Sequence, residues 1–86
     1  MIVRILHEGQ YDISGQTLDQ VNRLDATLLE HLRASDQAGF DQTLAQLLAT
    51  VRKEGKRLSD HELRESHLIL PAADFTLDEA KGLFHP

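Results

Sequence analysis

The first fourteen residues constrain the fold most. Met1-Ile2-Val3-Arg4-Ile5-Leu6, then His7-Glu8-Gly9, then Gln10-Tyr11-Asp12-Ile13-Ser14 read as a β-hairpin starting at the first residue. A three-residue loop, His7-Glu8-Gly9, fits a type I turn ending in a left-handed residue, a place that suits glycine. That loop sets Leu6 opposite Gln10, Ile5 opposite Tyr11, Arg4 opposite Asp12 and Val3 opposite Ile13. One face then carries Val3, Ile5, Tyr11 and Ile13, all apolar. The other carries Ile2, Arg4, Leu6, Gln10, Asp12 and Ser14, with Arg4 and Asp12 as a cross-strand ion pair. Strand 1–6 is apolar on both faces and reads as a central strand.

A hairpin alone is marginal in water, so its apolar face needs a second layer. Leu18, Val21, Leu24, Leu28 and Leu32 recur at helical spacing, widened by Leu29, and predict a helix from about Leu18 to Arg33. Thr17 and Gln20 fit a capping box at its start. After a break at Ala34-Ser35, Asp36 caps a second helix carrying Phe40, Leu44, Leu47, Leu48 and Val51, running to about Glu54 and stopped by Gly55. So short a break makes the two helices antiparallel neighbours, with Leu28 and Leu47 in the core. Ser59-Asp60-His61-Glu62 caps a single turn. His67-Leu68-Ile69-Leu70, closed by Pro71, reads as a third short strand beside strand 1–6. Thr76-Leu77-Asp78-Glu79 is another capping-box pattern and opens a last short helix to about Leu83. The expected fold is α+β: an N-terminal β-hairpin with a third short strand, packed on an antiparallel two-helix hairpin and followed by a short C-terminal helix, in one domain over residues 1–86.

The absence of cysteine excludes disulfides and thiolate metal sites and points to a reducing cytoplasm. The N-terminus lacks a signal-peptide pattern, and no apolar run approaches the ~20 residues that span a bilayer. A net charge of −5 repels phosphate backbones and anionic lipid, which disfavours nucleic acid and direct membrane contact. The five glycines are scattered at turns and helix ends, not gathered in a phosphate-binding loop. No serine sits in a nucleophile-elbow context, and Asp12, Asp19 and Asp25 read as solvated charges. The expectation is a chain without catalytic residues or a cofactor.

Three constellations remain. Ile2, Arg4, Leu6 and Asp12 on the outer sheet face, joined by Ile69 or His67, are the candidate interaction residues; either a companion chain docks there or the last helix folds over them. The strand edge at 10–14 is a second place for another chain to pair. His61, Glu65 and His67 would suit zinc if they converged, which keeps a small metal-dependent sensor or enzyme as the alternative function, against the plainer reading of solvated loop histidines. Arg52, Lys53, Lys56 and Arg57 either offset the negative end of the second helix or meet an acidic partner.

The chain also resembles a known family. The opening Met1-Ile2-Val3-Arg4-Ile5-Leu6 with Glu8-Gly9-Gln10-Tyr11, and the closing Ser66, Leu68, Ile69, Leu70, Pro71, Ala72, Ala73, Asp74, Thr76, Leu77, Asp78, Glu79 and Ala80, are similar to the PspA-associated domains called PspAA, over Met1 to about Phe84. The chain departs from that pattern at His7, where a small residue such as Gly is expected, at Ala72, where a second Pro is frequent, and in lacking a glycine-containing tail. The resemblance implies an accessory partner of phage-shock protein A, a coiled-coil protein that guards the cytoplasmic membrane under envelope stress. It implies no enzymatic activity, cofactor or binding residues. The function expected is a cytoplasmic, non-enzymatic adaptor that binds a PspA-like coiled coil in that stress response. It would pair as a homodimer and meet the membrane only through its partner. A long helical partner could lie along the helix pair, and a strand edge could close the homodimer.

Overall fold

The computed structural model describes residues 1–59, 61, 62, 64–72, 76 and 79. The elements are β1 (Ile2–Ile5), β2 (Gly9–Asp12), α1 (Gly15–Arg33), α2 (Gln37–Glu54), β3 (Lys56–Arg57) and β4 (Leu68–Leu70). The four strands form one mixed sheet in the order β3-β2-β1-β4. β1 lies antiparallel to β2 and parallel to β4, so the run at 67–70 does pair beside the two-sided apolar strand. The fold is α+β, with the helical hairpin as one layer and the sheet as the other.

The inner face of the hairpin is as the alternation implies. Val3, Ile5, Tyr11 and Ile13 are buried, and with Leu70 they meet Val21, Leu28, Leu32, Phe40, Leu44, Leu47, Leu48 and Val51 in one core. Leu28 and Leu47 are both fully buried. α1 and α2 share the most extensive contact of any two elements.

The hairpin register differs from the expected one by two residues. Ile2 faces Asp12, Val3 faces Tyr11, Arg4 faces Gln10 and Ile5 faces Gly9. A shift of two keeps every side chain on its face, but it separates Arg4 from Asp12, which lies 3.7 Å from the Met1 amino group instead. The loop is Leu6-His7-Glu8, closed by a hydrogen bond from Glu8 N–H to Ile5 C=O, with His7 at φ 68° as the left-handed residue. Gly9 has moved into β2. A left-handed conformation costs a side-chain-bearing residue about 1 kcal/mol, which gives a physical reason for a Gly at position 7. His7→Gly is expected to raise the unfolding free energy by up to about 1 kcal/mol. Chemical denaturation checks this, and an unchanged or lowered value would contradict it.

α1 begins at Gly15, before the Thr17 start that the capping-box pattern implies. Gly15 at φ 64° turns the chain out of the sheet, and Ser14 occupies the N-cap position without a side-chain capping bond. The break between the helices is a Schellman turn: Ser35 is left-handed at φ 55°, Ser35 N–H donates to Leu32 C=O and Asp36 N–H to His31 C=O. Asp36 then caps α2 by accepting from Gly39 N–H at 3.0 Å. Gly55 ends α2, as expected, but by close approach and not by a left-handed turn. A Cβ there would lie 2.5 Å from both Val51 O and Ile13 Cδ1.

Near the C-terminus, Thr76 and Glu79 exchange the reciprocal bonds of a capping box. The helix expected after them, to about Leu83, lies outside the described residues.

Candidate interaction surface

The two edge strands lie on opposite sides of the sheet, so the connection between them must cross it. The described part of that connection runs over the outer face. Leu58 N–H donates to Gln10 C=O at 2.9 Å. The Gln10 amide nitrogen donates to Arg64 C=O and to Ser66 Oγ, and its oxygen accepts from Arg64 N–H. His67 N–H donates to Ile2 C=O, and His67 Nδ1 accepts from Ile2 N–H at 3.0 Å. This strap leaves Gln10 only 7% exposed although it points away from the helices.

The four candidate residues fare differently under it. Ile2 is buried, Leu6 and Asp12 are half-buried, and Arg4 is exposed. Ile69, opposite Arg4 in the parallel register, is 44% exposed. The surviving outer surface is therefore Arg4, Leu6 and Ile69 beside the edge of β4, which no described strand pairs, and Asp12 on β2 next to β3. The edge at 10–14 is not open, because β3 pairs with β2 through Tyr11–Arg57 and Asp12–Lys56. Nothing in the polar pair Lys56-Arg57 marks it as strand.

The basic cluster at the end of α2 turns inward at two of its four members. Arg52 grips Glu8 with Nε at 2.9 and 3.0 Å and Nη2 at 2.6 Å. Arg57 Nη2 donates to Glu8 C=O, and Tyr11 Oη donates to the Glu8 carboxylate at 2.8 Å. Arg52 and then Tyr11 hold the Glu8 carboxyl down from 4.5 to about 2. Burial, followed by the Glu8 contact, pushes the Tyr11 phenol up. The hairpin tip is thus tied to the last turn of α2, which a cross-strand Arg4–Asp12 pair, worth only ~0.2–1 kcal/mol, would not achieve.

A lowered carboxylate contributes stability that is complete above its unfolded value, here 4.5, and lost as pH falls through about 2. Glu8→Gln should therefore lower Tm at pH 6, and the gap from the parent should close between about pH 4.5 and 2. The pair is partly solvated, at 26% and 45% side-chain exposure, so the full effect is about 1 kcal/mol or less. A gap that stays constant over that window would contradict this assignment.

Asp25 is not the solvated charge that its surroundings in sequence imply. It is half-buried, its Oδ1 is sealed from solvent without a hydrogen-bond partner, and burial raises its carboxyl pKa. His61, Glu65 and His67 are all exposed, and among the described residues no three histidine or acidic side chains gather where a metal could be held. No described helix is long and apolar enough to cross a membrane.

No curated protein and no solved structure matches the chain. The family model described as PspA-associated protein, PspAA, matches residues 1–86. The whole chain, hairpin and closing segment included, therefore belongs to the PspA-associated protein family.

Proposed function

We propose that this chain is a non-enzymatic cytoplasmic adaptor that binds a PspA-like coiled coil and tunes a response to envelope stress, reaching the membrane only through that partner. The observation that carries the reading is the family match across all of residues 1–86. The architecture supports it: one layer is a helical hairpin, and helical hairpins accept long amphipathic helices by laying apolar stripes together. The acidic balance of the chain disfavours direct contact with anionic lipid.

A homodimer is part of the same reading. Its support is the edge of β4, which no described strand pairs, with exposed Ile69 beside Arg4. Arg4, Leu6 and Asp12 serve as contacts for the second copy, and Ile2, buried on the same face, adjoins Asp12 across the ladder. Recovery of the full chain from cells under membrane stress tests the adaptor. Co-recovery of a PspA-family coiled coil is expected, and its consistent absence contradicts the proposal. Sedimentation tests the homodimer: a dimer supports it, and a monomer across the accessible concentration range contradicts it.

A further inference from the structure

We propose that Asp25 is the charged anchor of the surface on which α1 receives its partner, accepting a Lys or Arg that a helical partner carries within an apolar stripe. The proposal rests on the adaptor reading and adds to it a site on the chain and a chemistry for the partner. Leu18, Val21, Asp25, Leu28 and Leu32 alternate at three- and four-residue steps, so Asp25 occupies a position where the pattern calls for an apolar residue. Val21 and Leu28, on either side of it, are fully buried. Its carboxylate sits partly in this apolar seam with one oxygen sealed and unpartnered. Leaving a polar atom so placed is costly, and no described residue offers it a hydrogen bond. Only part of the residue is covered, so the carboxylate has a closed floor and an open mouth.

The surroundings of Asp25 fit a helical occupant. Leu18 and Leu29 share its stripe, seven positions before and four after, and both are only partly buried against the core. Asn22 and Ala26, the next residues round the helix, are exposed. The other flank of α1 is closed by its neighbour: His31, about 120° round the helix from Asp25, reaches Asp36 at the start of α2 at 3.2 Å. Among the described residues, the flank of α1 away from α2 therefore offers two leucines with an unpaired carboxylate between them. A partner helix bearing aliphatic residues around one cation complements it in shape and charge, and a charge pair closed off from water at such a contact contributes strongly to residence time. A second copy of this chain is the competing occupant.

Two variants, Asp25→Leu and Asp25→Asn, are each unfolded thermally and titrated by calorimetry with a purified PspA-family coiled coil. The Leu variant is expected to melt above the parent, because an unsatisfied carboxylate has been replaced by an apolar group. Both variants are expected to bind the coil at least about tenfold more weakly. Binding as tight as the parent's would overturn the anchor while leaving the adaptor reading intact. A parent that does not bind the coil overturns both. Lower melting temperatures in both variants would show that Asp25 serves the fold, and would overturn the anchor as well. A variant whose sedimentation drops from dimer to monomer would assign Asp25 to self-association and overturn the partner proposed here.

Discussion

Leu47→Ala is expected to lower the unfolding free energy by roughly 2–5 kcal/mol and Tm by ~10 °C or more. Leu47, on α2, is fully buried in the core that also holds the sheet residues Val3, Ile5, Tyr11 and Ile13 and the α1 residues Val21 and Leu28. Removing its branched end withdraws apolar surface from the core and leaves a cavity that a helix–sheet contact closes only in part. A small domain has ~5–15 kcal/mol in total, so this single truncation removes a large share. Leu29→Ala provides the internal comparison. Leu29 is only partly buried at the rim of the same core, and its truncation should cost clearly less. Equal losses at the two positions, measured by chemical denaturation, would contradict the core described.

Gln10→Ala is expected to cost roughly 1–3 kcal/mol, by a different mechanism. Gln10 is a buried amide that satisfies Arg64 at both its C=O and its N–H and also engages Ser66. Its loss strips the strap of its central attachment and leaves backbone groups of Arg64 without their partners. The effect should be local in character. Amide exchange at Arg64 should accelerate well before exchange at Leu47, because the strap can lift while the helix–sheet core persists. Unchanged stability and unchanged protection at Arg64 would contradict the role given to Gln10.

These two residues also mark what the sequence could and could not convey. Leu47 was legible because it lies on a helical stripe, and periodicity reports the burying face of a helix directly. The inner face of the hairpin was legible for the same reason at period two. The pairing of β4 with β1 followed from β1 being apolar on both faces, since only a central strand needs that. Gln10 carried no such signal. Its partners lie more than fifty positions away, and a polar residue on an outward face reads as solvated unless the crossing strap is known.

The register failed through local chemistry. Opposite charges favoured one pairing, whereas the turn closed by Glu8, with His7 left-handed, and the Glu8–Arg52 contact belong to another. The family resemblance, with a small residue at position 7, held the clue to that turn. β3 was hidden because Lys56 and Arg57 have no strand preference and are placed by Tyr11 and Asp12 across the ladder. Asp25 was hidden because its residue type and its position on the helix point opposite ways. Its spacing put it in the apolar seam, and its charge made it look like surface.

The proposed coiled-coil contact lies on the flank of α1 away from α2, and the proposed contact with a second copy lies at β4. Amide chemical-shift mapping of the full chain, titrated with a purified PspA-family coiled coil, tests this most directly. Saturable shifts are expected to centre on Leu18, Asn22, Asp25, Ala26 and Leu29, with Arg57 and Lys56 on the far edge of the sheet little changed. Shifts confined to the sheet edge, or none at any ratio of coil to chain, would contradict it.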